Sequence, residues 1–141
     1  MAQRPASADR MASLLLDTTV LIDVLRGRPL TINRLRQAAG RRETVWTSAV
    51  NVEETVRGLR ASEATAAERL FNGLRIAPLG REQGELAGGW RRAFAERGVT
   101  LAQADCLVAA AAVGVGATLA TGNLRDFPME GLDVEAWEPG A

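Results

Sequence analysis

Residues 13–27 read SLLLDTTVLIDVLRG: three leucines (Leu14, Leu15, Leu16) stop at Asp17, and apolar residues then recur at helical spacing. So short an unbroken apolar run predicts a strand buried on both faces. Leu21, Ile22 and Leu25 fit one helix face, with Thr18 or Thr19 as the candidate cap and Gly27 and Pro29 as the stop. A buried strand that runs straight into a helix is the opening of an α/β unit, and it leaves Asp17 at the junction.

The same alternation continues outward. Residues 31–39 read as a helix and 44–47 as a short strand; Ser48 is placed to cap a helix that runs to Arg57 and stops at Gly58 or after Leu59. Helix is predicted over 62–74, a short strand over 75–79, and a longer helix over 82–96 that Gly88-Gly89 weakens. Residues 101–105 lead into an apolar helix over 106–113, ended by Gly114 and Gly116. A second buried strand over 117–120 precedes Thr121-Gly122-Asn123 and a turn-like 124–128, and 132–137 alternates apolar and acidic as an edge strand does. Short apolar strands separated by helices predict an α/β sandwich: a short, mostly parallel sheet flanked by helices. Residues 1–12 are expected to be a flexible leader, with Met11 an alternative start, and 13–141 a single domain. Neither a secretory signal nor a membrane-length apolar segment is evident, so the expected location is cytoplasmic.

Composition removes whole classes of chemistry. The 141 residues hold no histidine, one cysteine and 17 basic residues, all arginine, against 17 acidic ones. Serine–histidine hydrolysis, histidine-bearing zinc sites, Schiff-base lysines and a Walker A lysine are absent as internal machinery. The neutral total hides a gradient: residues 1–44 carry +4, 45–98 carry +1 and 99–141 carry −5. A neutral chain is a poor non-specific coat for nucleic acid but is not thereby excluded as an enzyme acting on one phosphodiester. Cys106, at the head of an Ala/Val helix, reads as a small buried hydrophobe. Trp46, Trp90 and Trp137 are too dispersed for a base-stacking platform and suit core or interface anchors.

Carboxylates fall where parallel sheets place ligands, beyond the carboxyl ends of strands. Asp17 closes the first strand, Asp105 opens the apolar helix, and Asp126 with Asn123 follows the second buried strand. Crowded carboxylates raise one another's pKa unless a cation intervenes, and a site without imidazole or thiolate suits Mg²⁺, with Mn²⁺ as a substitute. A helical wheel from Val50 puts the apolar stripe at Val52, Val56 and Leu59 and treats both Glu53 and Glu54 as solvated. Val50, Glu54 and Gly58 share a face on which Gly58 would permit close approach of another element.

In order and spacing, the motifs at 15–23, 48–58 and 101–127 resemble those of a PIN-domain ribonuclease, in particular the VapC-type toxin of type II toxin–antitoxin modules, over residues 14–137. The resemblance implies a PIN-like three-layer sandwich and a metal-dependent endoribonuclease that cleaves RNA by metal-activated water. It places acidic ligands at Asp17, Glu54 and Asp105. Glu54 is chosen over Glu53 because it stands six positions after Ser48 and four before Gly58. The fourth ligand is Asp126 or Asn123. Gly122 departs from the bulky or basic residue often found between the threonine and the asparagine. The resemblance further implies a small cognate antitoxin as partner and a homodimer. Competing readings are a DNA or structure-specific nuclease using the same acids, and a catalytically silent α/β interaction module. A haloacid-dehalogenase-type phosphatase is disfavoured, because no aspartate stands two residues after Asp17 and no lysine is present.

Overall fold

A computed structural model describes residues 12–140. The expected leader and Met11 therefore lie, Ala12 apart, outside the described residues. The chain runs β1 (Ser13–Leu16), α1 (Thr18–Leu25), α2 (Pro29–Gly40), β2 (Thr44–Thr47), α3 (Ala49–Arg57), a 3-10 turn (Ala61–Glu63), α4 (Ala64–Asn72), β3 (Arg75–Ile76), α5 (Arg81–Glu96), α6 (Gln103–Gly114), β4 (Thr118–Thr121), a second 3-10 turn (Leu124–Asp126) and β5 (Val134–Ala136). Every neighbouring pair in the five-stranded sheet is parallel, in the order β3-β2-β1-β4-β5. The predicted α/β sandwich is the observed architecture.

Period-two alternation divides the leucines of β1 between two cores. Leu15, with Leu119 of β4, faces α5 and α6 in a cluster that includes Ala109, Ala110, Ala111 and Phe94. Leu14 and Leu16, with Ala120, face α1, α2 and α4 and meet Val20, Leu21, Ala38 and Trp137. The result is three layers. Helix α6 lies on the sheet by a face of alanines and small residues, and Cys106 is fully buried in it, as expected of a small hydrophobe. Trp137 is buried, while Trp46 and Trp90 are half-buried against the core.

Several boundaries differ from expectation for identifiable reasons. Asp17, not Thr18 or Thr19, holds the cap position of α1, and both threonines lie inside the first turn. Strand β3 ends at Ile76 rather than residue 79, although Ala77 N–H still donates to Thr47 O at 2.9 Å; Pro78 then has no N–H to continue the ladder. Helix α5 runs unbroken through Gly88 and Gly89, which sit on its exposed side while Ala87 and Phe94 pack inward. There, tertiary packing outweighs local propensity. Among the described residues no helix is long and apolar enough to cross a membrane.

Candidate metal centre

From β1 the chain winds to β2 and β3 on one side, then returns to place β4 on the other. The order reverses between β1 and β4, and a crevice opens beyond their carboxyl ends at such a reversal. Asp17 follows β1 there, and Gly122-Asn123 follows β4. The two strand ends are laced together, Asp17 N–H donating to Ala120 O at 2.9 Å.

Asp17 is 8% exposed, and both carboxylate oxygens accept hydrogen bonds. Oδ2 accepts from Thr121 Oγ1 at 2.7 Å and from Thr19 Oγ1 at 3.5 Å, and Oδ1 accepts from Asn51 Nδ2 at 3.2 Å. Burial pushes its pKa up. The Thr121 hydroxyl and the Thr18 N–H oppose that, the Glu54 charge adds to it, and the Asn51 amide opposes it again.

Glu54 is half-buried on α3, and its Oε1 accepts from Thr18 Oγ1 at 2.7 Å. Glu53 is exposed and pairs with Arg57 at 3.7 Å. The wheel misplaced this helix. Its fully buried residues are polar, Asn51 and Thr55, while Val56 is 52% exposed. Thr55 Oγ1 donates back to Asn51 O at 2.7 Å, and Ser48 caps the helix by accepting from Asn51 N–H, as predicted. Hydrophobicity cannot reveal a polar face that is buried because its hydrogen bonds are made internally. The expected close approach at Gly58 is absent, since a side chain there would meet only the Glu54 carbonyl, at 3.8 Å.

Asp105 lies in the first turn of α6, and Ala102 rather than Asp105 is the cap residue. Its pKa is raised to about 6, first by burial and then by the charges of Asp126, Asp17 and Glu54. Asp126 is half-buried in the second 3-10 turn, where it accepts from the amide of exposed Asn123. Asn123 N–H in turn donates to Thr121 Oγ1 at 2.9 Å. The two candidates for the fourth position are thus hydrogen-bonded to each other on one loop. At Gly122, an added Cβ would come within 3.1 Å of Pro139 and 3.3 Å of Thr19 Oγ1, so a bulky residue would require the C-terminal segment to move.

Carboxylates from three other segments therefore act electrostatically on Asp105, and that of Glu54 acts on Asp17 as well. None of the four enters an ion pair among the described residues. Among those residues no three His, Cys, Asp or Glu side chains form a ready-made metal cage. The donor set nonetheless suits a hard divalent cation: it is all oxygen, and its negative charge is uncompensated. Sequence reasoning did not single out Asn51 as a site residue; its one signal was the three-residue spacing from Ser48.

A parallel sheet carrying acidic residues at its reversal point has the ligand-binding layout of open α/β folds, and the comparisons with known proteins narrow it. The family model for the PIN domain matches residues 14–128. Ribonuclease VapC19 of Mycobacterium tuberculosis is 31% identical over 115 residues, covering 82% of this chain and 92% of the relative. Among solved structures, DNA-bound VapBC from Salmonella typhimurium superposes with a TM-score of 0.77 at 22% identity, covering 90% of this chain and 99% of the other. FitAcB from Neisseria gonorrhoeae gives 0.70 at 26% identity, covering 86% and 95%. The chain belongs to the PIN-domain family, in its VapC-type toxin branch of metal-dependent ribonucleases paired with antitoxins.

Proposed function

We propose that this protein is a Mg²⁺- or Mn²⁺-dependent endoribonuclease toxin whose centre is formed by Asp17, Glu54, Asp105 and Asp126, with Asn123 beside them. The observation that carries this reading is that Asp126, Asp17 and Glu54, each from a different segment, lie close enough to Asp105 for their charges to act on it. A bound divalent cation would lower the pKa of water and balance charge on the phosphoryl oxygens. The chain's own part is orientation. Thr121 and Asn51 hold the Asp17 carboxylate from opposite oxygens, and Thr18 holds Glu54. Asn123 is exposed beside half-buried Asp126 and is available to a substrate phosphate. Because the chain has neither histidine nor lysine, a carboxylate is the group left to orient the attacking water.

Water then attacks phosphorus, the bond to the 3′ oxygen breaks, and the products carry a 5′-phosphate and a 3′-hydroxyl. The site of action is the cytoplasm. A small cognate antitoxin as inhibitor and a homodimer follow from the family; exposed Leu30, Val56 and Leu124 supply apolar surface for such contacts. Incubation of end-labelled RNA and matched single-stranded DNA with the protein in Mn²⁺, with a chelator control, tests the activity. The expected result is RNA cleavage with 5′-phosphate ends and silence in chelator. Ends bearing 2′,3′-cyclic phosphate, or faster cutting of DNA, would refute it.

A further inference from the structure

Asn51 is fully buried and neutral, and it lies between two of the carboxylates. Its Nδ2 donates to Asp17 Oδ1 at 3.2 Å and to Thr18 Oγ1 at 3.0 Å, while its Oδ1 accepts from Ser48 Oγ at 2.6 Å. The reversed amide would set a carbonyl oxygen against the Asp17 carboxylate, so the orientation is forced. Thr18 Oγ1 is then an acceptor toward Asn51, and its single proton goes to Glu54 Oε1 at 2.7 Å. One directed network therefore leaves Asn51 by two branches, one ending on Asp17 and the other on Glu54.

We propose that Asn51 is a positioning residue that fixes Asp17 of the β1 end and Glu54 of α3 relative to each other for a divalent cation, directly on one side and through Thr18 on the other. This rests on the cation reading above and extends it to residues that bear no charge. An arginine in the same place would hold both carboxylates but also neutralise them and compete with the ion. An amide holds them and leaves their charge available. Partners that orient metal ligands typically contribute 10- to 100-fold to metal affinity.

Calorimetric titration of Mn²⁺ into metal-stripped protein, with circular dichroism and thermal melts as controls on folding, tests the proposal. Asn51→Ala is expected to weaken Mn²⁺ binding about 10- to 100-fold. Thr18→Val, at a half-buried position, should weaken it about tenfold, and Thr18→Ser, which keeps the hydroxyl, should restore wild-type affinity. The double variant should lose less than the product of the two single losses, because Asn51 reaches Glu54 through Thr18. A folded Asn51→Ala protein that binds within threefold of wild type would overturn the proposal. If Asn51→Ala does not fold, the Thr18 pair decides, and equal affinities of the valine and serine variants would refute it. Failure of wild-type protein to bind Mn²⁺ would instead overturn the cation reading on which the proposal stands.

Discussion

Replacing Asp105 by Asn is expected to lower kcat/KM for RNA by about three orders of magnitude in Mg²⁺, while the protein stays folded. The change keeps shape and removes one charge from the set that would hold the cation, whose contribution to charge stabilisation is several kcal/mol, about a thousandfold in rate. Stability should move the other way. The Asp105 pKa rises from 3.8 to about 6 on folding. The native state therefore binds its proton more tightly than the unfolded chain does, and the associated stability, present below about pH 4, is lost as pH rises through about 6. In chelator, Asp105→Asn should melt level with wild type near pH 4 and higher than wild type at pH 7.5. Saturating Mn²⁺ should reverse that order at pH 7.5, with wild type melting higher, since a ligand stabilises the state that binds it. Activity within tenfold of wild type would remove Asp105 from the centre.

Leu15→Ala should cost about 3–4 kcal/mol, lowering the melting temperature by roughly 10 °C. Leu15 is fully buried in the middle of β1, paired with Trp46 on one side and Leu119 on the other. Its side chain enters the core shared with α6, whose alanines bring backbone close to the sheet and leave little that can collapse into a cavity. That packing also sets the distance between Asp17, two residues along the chain, and Asp105 on α6, so cleavage should fall further than stability alone requires. Leu30→Ala is the control: Leu30 is 62% exposed, and the change should stay within about 0.5 kcal/mol. A thermal melt reads both. A shift below about 3 °C for Leu15→Ala would deny β1 its central place.

The fold was legible because its strands are short, apolar and broken by polar junctions, and Asp17 and Asp105 were legible because each interrupts an apolar run. Glu54 was not. The face of α3 that turns inward carries Thr55, which donates within its own helix, and Asn51, whose amide N–H groups find their acceptors only once β1 and α1 are in place, and no wheel of hydrophobicity registers that. Only the family spacing from Ser48 to Gly58 selects Glu54, whose Oε1 accepts from Thr18 Oγ1 in the structure. A hydroxyl at a strand–helix junction usually caps the helix, which makes Thr18 or Thr19 the expected cap. Here tertiary partners outbid the local role: Thr18 serves Glu54, while Thr19 accepts from Gly122 N–H at 2.8 Å. The choice between Asn123 and Asp126 stays open in the sequence because the family pattern offers both positions; standing three apart, their side chains meet within one 3-10 turn.

A crystal structure of the protein soaked in Mn²⁺, with the ion located by its anomalous scattering, tests the account most directly. The expected result is an ion beyond the β1 and β4 ends, held by oxygens of both Asp17 and Asp105, with Glu53 left in solvent. An ion bound by Glu53 instead of Glu54, or none shared by Asp17 and Asp105, would contradict it.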